Sequence, residues 1–287
     1  MNADSRELEK PFRRDNIVLT REHSLRLRDC PPMASDHCLL TPPINSSFPL
    51  IICFHGSNDS CAASWSTLTS TLSLSYSVLC YERGSSNPTP SESIDSLSAY
   101  LRSSDLRPPY ILIAHSHGGA FARCFLHSCP RDVAGMVLVE TGQEAAWDET
   151  LEQAQYARCV LGSRPLSVIR GNSFLRKWAD LEAAEAELEE GSAGNPGLKM
   201  QREMLRQLDA EDERLKKAQL TLSRNHRYVH LPDCGHHIVR DRPDVVAQEV
   251  RWVMENLYEG PDDTDNRKRS FHLKVLDMLK VGKGRKG

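Results

Sequence analysis

The nine residues Ile111-Leu112-Ile113-Ala114-His115-Ser116-His117-Gly118-Gly119 constrain the fold more than any other stretch of the chain. An apolar, β-branched run reads as a buried strand, and the small residues after it open a segment that reads as helix. A strand that turns directly into a helix pushes one side chain out at the bend, in strained backbone, so its neighbours must lack bulk. Ala114 and Gly118, two residues before and after Ser116, meet that need and make the stretch a candidate nucleophile elbow. Small-x-Ser-x-Gly is common by chance and an ordinary strand-to-helix turn would look similar, so the surrounding chain has to decide.

From about residue 48 onward apolar runs alternate with polar, helix-compatible segments, the pattern of β-α units on a mainly parallel sheet. The strands expected are Pro49–Phe54, Ser77–Tyr81, Tyr110–Ala114, Gly135–Glu140, Leu166–Ile169 and Tyr228–Leu231, with Ile17–Thr20 and Leu25–Leu27 as a leading antiparallel hairpin. Helices are expected near Ser64–Ser73, Ser93–Ser103, Gly119–Ser128 and Pro243–Leu257. Between Ile169 and Tyr228 the acidic segment Leu175–Glu190, a Gly/Ser/Pro break and the helix-forming Lys199–Ser223 suit a lid or a decorated crossover, with Glu182–Glu190 as a solvated face. The organisation expected is a flexible N-terminus (1–14), one domain (15–258) with helical insertions at about 141–164 and 175–223, and a basic tail (259–287). There is no internal repeat.

A chain of 287 residues, 39% hydrophobic, can bury the core of one α/β domain with an excursion. Its 36 Lys and Arg against 39 Asp and Glu give no general attraction to nucleic acid or anionic membranes. The polar N-terminus lacks the apolar centre of a secretory signal, and no run reaches membrane-spanning length, so a cytoplasmic location is expected. Nine scattered cysteines without a Cys-x-x-Cys pair read as reduced core thiols rather than a zinc site or disulfide framework. His115 and His117 have His-x-His spacing but no evident third ligand, so no metal is expected. The stretch Arg267–Gly287 carries eight basic residues against Asp277, with apolar positions that suit an amphipathic arm at an anionic surface. A solvated basic terminus is the commoner form of such a tail.

A serine hydroxyl needs a base, a group to orient that base, and donors for the developing oxyanion. His236 follows Gly235 in the loop after the last expected strand, on the rim where open α/β sheets bind ligands, and is preferred over His237, read as a neighbour packing under the loop. The backbone amide of His117, at a helix start, is one oxyanion donor. The second comes from the Phe54-His55-Gly56-Ser57-Asn58 loop, assigned to the amide of Ser57 with Asn58 as substitute. For the acid, the end of Leu166–Ile169 offers no carboxylate, while the preceding strand ends in Glu140. Glu140 is therefore the candidate, with Glu144, Asp148, Asp180 and the uncharged Asn172 behind it.

With these residues in view, the chain resembles the α/β-hydrolase superfamily, particularly its small intracellular esterase-like members. The matching segments are Phe54-His55-Gly56, Pro109 through Gly119, Val133 through Glu140, and Gly235 through Pro243. Tyr81-Glu82-Arg83-Gly84-Ser85 also looks like a strand-end segment of that family, with Arg83 as packing support. The resemblance implies a mostly parallel eight-stranded sheet flanked by helices, and Ser116, an acid and His236 in that chain order. The function expected is that of a cofactor-independent serine hydrolase acting on a carboxylic ester or thioester, with a small-molecule ester-like substrate as its partner. Ala114 stands where glycine is usual, and serine at 116 argues against the aspartate-nucleophile branches that open epoxides or displace halide. A non-catalytic ligand-binding or scaffold protein and a triad-dependent lyase are the alternatives. Acyl and alcohol preference, with Trp147, Tyr156 and Trp178 near the expected lid, and oligomeric state are left open.

Overall fold

In the computed structural model, which describes residues 38–40, 48–83, 88–142, 148–187 and 195–257, the apolar runs pair into one seven-stranded sheet. The strands are β1 (Cys38–Leu40), β2 (Leu50–Phe54), β3 (Val78–Tyr81), β4 (Tyr110–His115), β5 (Val133–Val139), β6 (Leu166–Arg170) and β7 (His226–His230). Their order is β1-β3-β2-β4-β5-β6-β7. Six strands run parallel, and β1 lies antiparallel against β3 at the edge. Six parallel strands and one short edge strand, rather than eight, are therefore present among the described residues; the expected leading hairpin at 17–20 and 25–27 lies outside them, and β1 was not foreseen.

The near-continuous apolar strands follow from helices covering both faces. In β2, Leu50, Ile52 and Phe54 enter one core while Ile51 and Cys53 enter the other. The first core takes in α3 (Pro90–Ser103) and α4 (Gly118–Ser128); the second takes in α1 (Cys61–Ser64), α2 (Ser66–Ser73), α8 (Ile238–Asp241) and α9 (Pro243–Glu255). Helix starts are locally encoded: Thr89 and Glu92 close a reciprocal capping box on α3, with Pro90 in its first turn. Cys53, Cys61, Cys80, Cys124, Cys129, Cys159 and Cys234 are free thiols.

Three further helices decorate the sheet: α5 (Glu149–Arg158), α6 (Leu175–Ala186) and α7 (Pro196–Ala218), the last running into a 3-10 turn at Gln219–Leu222. The expected lid segments are thus helical. α6 buries only Leu181, in keeping with a solvated face, and Arg202 pairs with Glu185 to join α7 to α6. Helix α7 behaves differently, because its buried residues include Asp212 and Lys216. Both terminal segments, 1–14 and 259–287, together with Glu144 and Trp147, lie outside the described residues.

Candidate active site at the carboxyl edge of the sheet

Strand β4 delivers Ser116 to the carboxyl edge with φ at +50°, a left-handed backbone rare for a residue bearing a side chain. The bend is held by main-chain bonds: the Ser116 amide donates to the Val139 carbonyl at 3.0 Å, and Gly119 donates to the Ser116 carbonyl at 2.8 Å. A Cβ at Gly118 would lie 2.1 Å from the Phe54 carbonyl oxygen, so only glycine lets α4 start this close to β2. His115, buried beside the serine, donates through Nε2 to the backbone carbonyl of His236 at 2.8 Å. Its ring centroid lies 4.9 Å from that of His236, and burial pushes its pKa down to about 4.

One strand further along, Glu140 directly follows β5 and also adopts a positive φ, +52°. Its Oε2 lies 3.1 Å from Nδ1 of His236, which directs Nε2 outward. The Gly171 amide donates to Oε1 at 2.6 Å, the Ser173 hydroxyl donates to Oε2, and the Lys216 ammonium stands 3.7 Å from Oε1. Burial by itself would raise the pKa of this carboxyl. The His236 hydrogen bond, the Lys216 charge and the Ser173 and Gly171 donors outweigh it and hold the group down at about 2. A Cβ at Gly171 would lie 2.7 Å from the carbonyl oxygens of Cys234 and Gly235, so bare backbone there lets the histidine loop close over the acid. The His236 side chain is 37% exposed while that of Glu140 is 0% exposed: the carboxylate is sealed and the imidazole is open to solvent. Neither Ser116 Oγ nor His236 Nε2 has a hydrogen-bond partner among the described residues; such bonds are often long before substrate arrives.

The loop after β2 passes over the elbow, where a Cβ at Gly56 would sit 3.4 Å from the Ser116 Cβ. Arg83 pins that loop with Nη1 on the His55 carbonyl and Nη2 on the Gly56 carbonyl, both at 2.6 Å, while its guanidinium lies 4.4 Å over the Phe121 ring. The packing role read for Arg83 is therefore specific: it sets the loop that carries Ser57. Neither the Ser57 nor the His117 amide is occupied by another described residue, and Asn58 has φ +51°. Of the five non-glycine residues with positive φ among the described residues, Asn58, Ser116 and Glu140 lie where the chain leaves β2, β4 and β5 at the carboxyl edge of the sheet.

The substitutes for Glu140 are used elsewhere. Asp148 caps α5 by accepting from the Leu151 amide, Asp180 is exposed beside Arg176, and Asn172 accepts from the Phe174 amide and donates its own amide to Cys234. His237 is exposed rather than packed under the loop, because the buried place beside His236 is taken by His115. Sequence reasoning missed Gly171, Ser173 and Lys216. The Arg170-Gly171-Asn172-Ser173 run was visible only as a strand end without a carboxylate, and nothing local marks Lys216. No group of three or more His, Cys, Asp or Glu among the described residues is arranged to hold a metal ion, and no described helix is long and apolar enough to cross a membrane.

The chain is 26% identical over 267 residues to a protein of Hormonema carpetanum named "Probable transporter efuK", an alignment covering 68% of this chain and 38% of that relative, so the chain spans well under half its length. Among solved structures, an esterase from Thermogutta terrifontis matches with a TM-score of 0.47 at 15% identity, covering 78% of this chain and 94% of that one. MenH from S. aureus matches with a TM-score of 0.48 at 14% identity, covering 78% and 98%. The model of the alpha/beta hydrolase family matches residues 51–249, a span that includes every strand from β3 to β7, the elbow and the histidine loop, and the chain belongs to that family.

Proposed function

We propose that the protein is a serine hydrolase that cleaves a small carboxylic ester or thioester through an acyl-enzyme intermediate. The observation that carries this reading is the sealed Glu140 carboxylate 3.1 Å from Nδ1 of His236, at the same rim as Ser116 in its strained bend. A carboxylate in that place fixes the imidazole so that Nε2 faces the cleft as a base, and it stabilises the imidazolium formed when the serine proton moves. Ser116 Oγ attacks the carbonyl carbon as His236 takes its proton. The amides of Ser57 and His117 receive the oxyanion. His236 then returns the proton to the departing alcohol or thiol, and water, activated by the same imidazole, releases the acid. No cofactor takes part in any of these steps.

The test is hydrolysis of a panel of aryl and alkyl esters and thioesters of varied acyl length. Ser116→Ala is expected to lower kcat by about three to six orders of magnitude while retaining the wild-type circular dichroism spectrum. Activity should rise with pH as the His236 imidazole loses its proton and becomes free to act as a base. A normally folded Ser116→Ala protein that hydrolyses ester as fast as wild type would contradict the reading, as would a ligand-binding protein that turns over no ester at all.

A further inference from the structure

Lysine is almost never fully buried unless paired, and Lys216, 1% exposed on α7, is buried against the acid of the candidate site. Its ammonium contacts Asp212 one turn earlier and lies 3.7 Å from Glu140. Asp212 does not need it, because Arg170 from β6 already donates Nε to Asp212 at 2.9 Å. Arg170 also reaches Asp209 and Glu213, whose side chains are 37% and 36% exposed and therefore screened by water. Around the acid the buried charges form a neutral quartet, Arg170 and Lys216 against Asp212 and Glu140, apart from the buried Arg123 and Glu249 elsewhere in the fold. Among the described residues, Lys216 is the α7 side chain that pairs with the carboxylate on His236.

We propose that Lys216 is a positioning residue for the acid–base pair: its ammonium holds Glu140 charged and turned toward His236, and through that charge sets how strongly His236 keeps its proton. The inference rests on the hydrolase reading for its meaning, though not for its test. Removing Lys216 leaves the buried set with one uncompensated negative charge beside the imidazole, which favours imidazolium. Other charged or titratable neighbours do not replace it. His115 from β4 presents a ring whose pKa is already pushed down, and His237 sits 5.5 Å from His236, ring to ring, on the exposed side. Cys234, whose thiol burial pushes up, brings no positive charge from the loop after β7. Lys217 on the next position of α7 is spent on Glu213 at 2.6 Å.

Three full-length proteins test this: wild type, Lys216→Met and Lys216→Arg. The His236 imidazole is followed by long-range nitrogen–proton NMR through pH 5 to 9, and kcat and KM are measured over the same range on the best ester of the panel. In Lys216→Met the imidazole midpoint is expected to rise by about half a unit to one unit, with kcat at neutral pH down about ten- to a hundredfold and KM little changed. Lys216→Arg, which keeps the charge, should restore the midpoint. A Lys216→Met protein with a lowered melting temperature and the wild-type midpoint would overturn the proposal and make Lys216 a purely structural ion pair. If the wild type turns over no ester, the hydrolase reading fails and the imaging of His236 by NMR still decides the role of Lys216. If Lys216→Met does not fold, the wild-type Lys216 Nζ resonance decides: a step coinciding with the His236 titration supports the coupling, and a flat response overturns it.

Discussion

Around Ser116 the site is positioned by backbone: a positive φ, main-chain hydrogen bonds to Val139 and within the bend, and a glycine at 118 that nothing larger fits. Around Glu140 and His236 it is positioned by side-chain charge from α7 and the loop after β7, joined by the Gly171 amide just past β6. The first arrangement is compact along the chain and tolerates almost no added volume. The second is assembled from residues up to 96 positions apart and tolerates almost no change of charge. The two halves should therefore fail in different ways.

After loss of the Ser116 hydroxyl itself, the largest effect is expected on the charged side. Glu140→Gln preserves shape but removes the charge that supports an imidazolium, and kcat should fall about 10³- to 10⁴-fold with the fold retained, by steady-state kinetics and near-ultraviolet circular dichroism. Its acid stability should change as well. In the folded wild type Glu140 is held at about 2 against an ordinary 4.5, so its contribution is present above pH 4.5 and is lost as pH falls toward 2. Urea denaturation at stepped pH should show that loss flattened in Glu140→Gln.

On the backbone side, Gly118→Ala should cost about 2–3 kcal/mol of stability in the same urea measurement, because its Cβ would meet the Phe54 carbonyl. His115 gives a separate acid signature. Its imidazole is held at about 4 against 6.5, so the unfolded chain takes up the proton first and stability falls as pH drops from 6.5 to 4. That window should persist in Glu140→Gln, which separates the two groups. The smallest effect is expected for Ser173→Ala, about tenfold or less in kcat, since Glu140 keeps Gly171, Lys216 and His236.

The same contrast explains what the sequence discloses. Ser116 is legible because an elbow needs small residues at fixed offsets, and strand-end positions made Glu140 and His236 findable from the apolar runs before them. Strand and helix positions follow for the same local reason, as in β2, β4 and α4. Lys216 and Asp212 are not legible: spaced four apart on a charged helix, they look like any solvated pair, and only Arg170 on a distant strand makes them buried. Ser173 and Gly171 are hidden likewise, their roles arising where two loops meet. The short β1 carries no alternation long enough to register, and its place is given only by pairing with β3.

In the proposed function Ser116 is the group that His236 and Glu140 activate. The most direct measurement is reaction of the full-length protein with a fluorophosphonate probe, followed by peptide mass mapping and by the labelling rate as a function of pH. A single adduct on Ser116, forming faster as pH rises through the histidine range and about 10³-fold slower in Glu140→Gln, is the predicted result. Absence of an adduct on the folded protein, or an adduct on a different residue, would contradict it.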